Sequence, residues 1–178
     1  MRRESGFSLI ELLTVMTLTA VLVTLGAFAI RHFWFVRSLE GGADEVVTQL
    51  RRLQQRVGAA SNPLVYGARF TDGSSSWQLV EYHIIDDTCE LISETGFDRN
   101  LEFDASVRVR SAVFAEYPAA TDQCLGLTPE ADDVVFFFAR GSATRGNIVI
   151  EQPILDRTAQ ICVGDITGRV EETTGSCP

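Results

Sequence analysis

Apolar residues fall along this chain in three successive rhythms. From Phe7 to Ile30 they are nearly continuous, Glu11 is the only charge in the stretch, and Leu12–Ile30 carries none. From Val36 onward they recur every three or four residues, at Val36, Leu39, Ala43, Val46, Val47, Leu50, Leu53 and Val57. Asp44, Glu45, Gln49, Arg51, Arg52 and Gln55 fall on the other faces. After Pro63 the period shortens to two and turn residues become frequent. Wound as a helix at ~1.5 Å per residue, Leu12–Ile30 reaches ~28 Å, close to the ~30 Å hydrocarbon core of a bilayer. The second rhythm is that of an amphipathic helix, whose stripe demands apolar cover, and the chain's own globular part is the nearest source. The third is that of half-buried strands. Together they predict an α+β chain in which a long N-terminal helix over 7–57 packs on a β-rich antiparallel head over 58–178. The helix divides into a membrane half, 7–36, and an amphipathic half, 37–57. Phe33, Trp34 and Phe35 stand where an aromatic interface belt would lie.

Local signals sharpen that outline. Gly41-Gly42 is a place for the helix to bend or melt, because glycine is costly in helix interiors, and Gly26 is a weak point in the apolar half. Gly58 followed by Ser61-Asn62-Pro63 ends the helix. Strands are expected at Leu64–Phe70, Trp77–Ile85, Ser106–Phe114, Val134–Ala139, Asn147–Glu151, Ala159–Val163 and Arg169–Glu172. Asp72-Gly73-Ser74-Ser75-Ser76 connects the first two as a hairpin, and Gly164-Asp165-Ile166-Thr167-Gly168 turns into the last. Val107 and Val109 alternate with Arg108 and Arg110, as in a strand with one wet face. Phe136-Phe137-Phe138 suits a strand covered on both faces. Glu116 to Asp133 reads as a surface loop.

The acid inside the first rhythm is the chemical anomaly. A carboxylate near a membrane span is disfavoured, by up to ~2.5–3.5 kcal/mol at a helix centre and less towards an end. It needs a cation, and a cut after Gly6 would provide one as the free amine of Phe7, four residues from Glu11. Arg2 and Arg3 in a short leader, then Gly6, Phe7 and Glu11, then the apolar helix, resemble a type IV prepilin. The resemblance implies that residues 1–6 are a leader, removed by a prepilin peptidase that cuts between Gly6 and Phe7 and N-methylates Phe7. It also implies that Glu11 is an assembly residue, pairing with a terminal amine in a helical filament. A secretory signal would instead have a shorter apolar core followed by small residues at its cleavage site. Arg2 and Arg3 precede the helix, whereas Arg31, His32 and Arg37 follow it, so the positive-inside rule orients the span only weakly. The prepilin resemblance sets the leader inside and the head outside.

A softer likeness lies in the head. An apolar strand followed by Arg140-Gly141-Ser142-Ala143, another strand and then Gly168-Arg169-Val170 is similar to the GspH/FimT-like group of minor pilins and pseudopilins. That likeness implies a pilin fold and a subunit that helps initiate and tip a type IV pilus or a type II secretion pseudopilus. Its implied partners are other minor pilins or pseudopilins, a major pilin and an inner-membrane assembly platform. The chain would sit in the inner membrane as a single pass with an extracytoplasmic head, and at the filament tip after assembly. A tip adhesin, a DNA-uptake receptor, a major pilin-like subunit or a membrane-anchored domain outside any filament are the alternatives.

Composition narrows these. The sequence holds no lysine, and after Arg37 it carries 22 acids against 11 arginines. That balance argues against nucleic-acid binding, which needs cations to neutralise phosphates, and Arg169-Val170-Glu171-Glu172 is not the basic patch a DNA receptor would show. Cys89, Cys124, Cys162 and Cys177 make an even count in an exported head, where disulfides are expected and three pairings are open. Cys162–Cys177 and Cys89–Cys124 are the favoured pairs. Metal binding is the rival reading, but no C-x-x-C spacing exists and His32 and His83 are the only histidines. Asp86-Asp87 and Asp132-Asp133 are solvated charges or part of a calcium site, the former reading being favoured. No nucleophile motif and no phosphate-binding glycine loop is present, so neither an enzyme nor a cofactor is expected.

Overall fold

The structure is a computed structural model and describes residues 8–59, 64–84, 91–93, 99–104, 106–114, 134–138, 142–164, 168–173 and 177. Among the described residues one helix, α1 (Leu9–Ala59), is followed by nine strands. They are β1 (Leu64–Phe70), β2 (Ser76–Ile84), β3 (Leu91–Ser93), β4 (Arg99–Glu102), β5 (Arg108–Phe114), β6 (Val134–Phe137), β7 (Gly146–Gln152), β8 (Arg157–Val163) and β9 (Val170–Thr173). Every pairing among these strands is antiparallel. The chain is thus α+β, a long N-terminal helix packed on a head of antiparallel sheets.

The first sheet runs β3-β2-β1-β6, and β4 pairs with β2 on the edge that β3 also uses. β3 meets Tyr82–Ile84 and β4 meets Ser76–Leu79, so the two short strands lie end to end along β2. The second sheet runs β5-β7-β8-β9. Both sheets and the helix close over one core: Ala68, Phe70, Trp77, Val135 and Phe137 from the first sheet, and Val109, Phe114, Ile148, Ile150, Ile161 and Val170 from the second. Phe70 stacks on Trp77 at 5.2 Å between ring centroids across the β1–β2 pair, and Trp77 lies 6.5 Å from Phe103. The Trp77 indole N–H is buried and lacks a hydrogen-bond partner among the described residues, a cost of about 1–3 kcal/mol that the packing of the ring must outweigh.

The helical part of the core is the stripe read from the sequence. Leu39, Ala43, Val46, Val47, Leu50, Leu53 and Val57 are buried, together with Gly42. Each fully buried Leu or Val side chain contributes roughly 1.5–3 kcal/mol relative to water, so this stripe supplies a large share of what joins helix to head. Gly41-Gly42 does not interrupt the helix, which runs unbroken from Leu9 to Ala59. The expected bend or melt is replaced by a packing role. A Cβ on Gly42 would lie 3.2 Å from the Phe103 ring and 3.6 Å from Val107, so glycine lets the head come close to the helix axis.

The turn between β1 and β2 ties the sheets together. Gly73 takes a left-handed φ of 76°, which glycine adopts without strain, and its amide donates to the carbonyl of Val109 at 2.8 Å. The Val109 amide donates to the Ser74 carbonyl at 2.9 Å, and the Ala112 amide to the Asp72 carboxylate at 3.1 Å. The outer edge of β5 is therefore occupied by a loop of the other sheet, one way of shielding an exposed strand edge. The alternation along β5 slips at a bulge between Val109 and Ser111, after which Ala112 and Phe114 point inward. All four residues of β6 are buried, as its continuous apolar run required. Its edge is covered by the chain at 142–144, where the Thr144 amide donates to the Phe136 carbonyl and the Phe136 amide to the Thr144 hydroxyl.

Candidate functional site

The functional candidates gather on the helix rather than in a cleft of the head. From Ser8 to Trp34 every residue is exposed, including Leu9, Leu12, Leu18, Leu22, Leu25, Phe28 and Ile30, each of them more than half accessible. This is the one helix long and apolar enough to cross a membrane among the described residues, by length and composition. Threonines within it are satisfied internally: Thr19 and Thr24 donate to the carbonyls of Val15 and Ala20 at 2.7 and 3.0 Å, and Thr14 donates to that of Ile10. Such back-bonding hides hydroxyls that hydrocarbon could not satisfy.

Glu11 sits in the first turn of α1, where a carboxylate complements the partial positive charge of a helix N-terminus. Gly6 and Phe7 lie outside the described residues. At the far end of the apolar run, the Arg31 guanidinium lies over the Phe35 ring at 5.6 Å and that of Arg37 over the Phe33 ring at 5.5 Å. Arg37 also stands 3.6 Å from Glu40, an exposed pair of little energetic weight.

Where helix meets head, two polar contacts cross the seam and a third, within the helix, holds one of their partners. The Arg51 guanidinium donates to the Val170 carbonyl at 2.9 Å, the fully buried Gln152 amide donates to the Ser38 hydroxyl at 3.3 Å, and Ser38 itself donates to the Phe35 carbonyl at 2.9 Å. An open groove of about 460 Å³ lies beside the first of these, lined by Arg51, Gln54, Gln55, Arg169 and Val170. Its cations are already engaged, Arg51 by Val170 and Arg169 by Glu171. On the same seam, loss of hydration first, and then the carboxylates of Asp44 and Glu40, raise the Glu172 carboxyl above the usual range. Across β5 and β7, Glu151 receives Arg108 at 2.7 Å and stands 3.9 Å from Arg110. That pairing gives the two alternating arginines a structural partner.

Cys162 and Cys177 are joined by a disulfide with Cα atoms 5.5 Å apart, anchoring the C-terminal segment to β8. Gln160, on the same strand, donates to the Cys177 sulfur at 3.4 Å. Cys89 and Cys124 lie outside the described residues, as do Asp86-Asp87, Asp132-Asp133 and the 116–133 stretch. His32 is exposed on the helix beside the arginine–aromatic pairs, and His83 is on β2, paired in register with Ile92. No group of three or more His, Cys, Asp or Glu side chains stands at metal-binding distance among the described residues. The arginine–aromatic pairs and the Arg51–Val170 contact were not singled out from the sequence. The first was accessible to i, i+4 spacing, while the second joins residues 119 apart and left no local signal.

A family profile, the prokaryotic N-terminal methylation motif, matches residues 1–27. No curated protein and no solved structure matches the chain. The motif covers the leader, Gly6, Phe7, Glu11 and most of the apolar run. It supports a prepilin-like signal, processing by a prepilin peptidase, membrane association and a type IV pilin-like protein.

Proposed function

We propose that this protein is a minor pilin or pseudopilin, a non-enzymatic subunit that helps initiate assembly and forms the tip of a type IV pilus or of a type II secretion pseudopilus. The observation that carries the reading is the division of a single helix. Its lower half bears the methylation motif and is exposed from Ser8 to Trp34, while its upper half is built into the core of the head. A subunit of this form can be held in a membrane by its lower half and later exchange lipid for the helices of neighbours without disturbing the head. Glu11 then exchanges one environment for another: exposed near the membrane surface before assembly, and paired with the amine of Phe7, its own or a neighbour's, afterwards. The acidic head and the softer GspH/FimT-like pattern favour a tip subunit over a DNA receptor.

Mass spectrometry of the mature N-terminus tests the processing step, with N-methyl-Phe7 expected and an intact Met1–Gly6 leader in assembled material refuting it. Assembly is tested by Glu11→Leu. Desolvation of the acid is removed, so the variant should insert and be cleaved as well as the wild type, yet fail to co-purify with sibling subunits. Leaving the amine unpaired in an apolar bundle costs several kcal/mol, which predicts a loss of more than tenfold in co-purified subunit. Wild-type co-purification and filament number would remove Glu11 from the assembly mechanism. Subunit abundance in sheared filaments separates a minor from a major role.

A further inference from the structure

We propose that Arg31 and Arg37, held on the rings of Phe35 and Phe33, form a ring of charge that binds the phosphates of anionic phospholipids at the extracytoplasmic surface of the membrane. The two arginines are six residues apart, ~9 Å along the axis and about 120° around it. Arg31 reaches forward to Phe35, however, and Arg37 reaches back to Phe33. The crossed pairing brings both guanidinium groups to the level of residues 33–35, where Trp34 is also exposed. That level lies directly above the last residue of the uncharged Leu12–Ile30 run, hence at the height of the phosphates if the run fills the hydrocarbon core. A guanidinium lying on a ring face keeps its in-plane N–H groups free to donate, and its fork suits phosphate oxygens.

Charge complementarity selects the anionic lipid. Beyond Arg37 the protein has twice as many acids as bases, and Glu40 and Asp44 come next along the helix. An anionic leaflet would repel the head unless cations stood between them. Arg31 and Arg37 are the only arginines between Arg3 and Arg51, and Leu39, the first residue of the helix buried against the head, follows two positions after Arg37. The exposed contact with Glu40 at 3.6 Å leaves Arg37 available. The inference rests on the membrane-anchored reading of the helix and adds to it a lipid class and the two side chains that select it.

Trp34 makes the test direct, because Trp77, the other tryptophan, is 1% exposed in the core. The mature chain is reconstituted in phosphatidylcholine vesicles holding a minor fraction of brominated lipid, either phosphatidylglycerol or phosphatidylcholine, with Trp34→Phe supplying the background. Brominated phosphatidylglycerol should quench Trp34 preferentially, by about fivefold for each arginine, given ~1 kcal/mol per basic residue near an anionic surface. The double variant Arg31→Gln, Arg37→Gln should abolish the preference while both lipids still quench, and Arg52→Gln, higher on the helix, should leave it intact. Equal quenching of the wild type by the two lipids, or an equal loss in Arg52→Gln, overturns the ring. Absence of quenching by either lipid overturns the membrane placement as well.

Discussion

The lower and upper halves of α1 belong to one unbroken helix, and yet they solve opposite problems. Ser8–Trp34 is apolar all the way round and buries nothing within the protein. Leu39–Val57 is apolar on one stripe and buries that stripe to 8% exposure or less. The difference lies in how much of the surface is apolar and where it falls: continuous apolarity is matched to a solvent that surrounds the helix, and a 3.6-residue rhythm broken by charges to a partner that touches one side. The change falls within a few residues, at the arginine–aromatic pairs.

The sharpest way to break the comparison is to delete matched side chains from each half. Leu50→Ala removes a side chain with no exposed surface and should cost 2–5 kcal/mol, seen as a large drop in the melting temperature of the head in detergent. Leu18→Ala, 61% exposed, should leave that temperature unchanged. Similar effects from both would mean that the lower half also packs on the head.

The disulfide offers the next largest effect. It closes a loop with a sequence separation of 15, which the chain-entropy model values at ~3 kcal/mol. Cys162→Ser with Cys177→Ser should therefore lower the melting temperature of the head, as should reduction, without altering membrane insertion of the lower half. Free thiols at both positions in freshly purified exported protein would contradict the bridge.

The smallest effect concerns pH at the seam between the upper half and β9. Glu172 is raised by lost hydration, and by Asp44 and Glu40 across from it. The folded head thus holds this proton more tightly than the unfolded chain does. Its stabilising contribution is present below the ordinary value of 4.5 and is lost as pH rises through the raised value. Glu172→Gln should flatten that slope and be slightly more stable than the wild type near neutrality, as followed by thermal denaturation across pH. An unchanged slope would show that Glu172 does not face the helix acids in solution.

What the sequence made legible follows from the same contrast. The stripe from Leu39 to Val57, the continuous apolar β6 and the β1–β2 turn all leave periodic or turn-specific traces, and each is where the rhythm put it, while Asp165–Thr167 of the expected turn before β9 lie outside the described residues. β3 and β4 were not recognised, because Leu91-Ile92-Ser93 is too short to show a period and Arg99-Asn100-Leu101-Glu102 holds one apolar residue. They are strands because β2 is nine residues long and offers an edge to both. Gly41-Gly42 misled in the other direction. Propensity alone marks a break, whereas the need for Phe103, Val107 and Ile150 to approach the helix turns Gly42 into a contact.

The way the head borrows its core from the helix also sets an order of events. Assuming the proposed orientation, the stripe from Leu39 to Val57 leaves the membrane first, and β9, whose Val170 meets Arg51, leaves well after it. More than a hundred residues must follow before the stripe is fully covered. Through that interval an amphipathic helix with seven bare apolar side chains lies next to a lipid surface, a natural place for it to rest. On that orientation the membrane offers a holding surface for the stripe until the sheets can cover it.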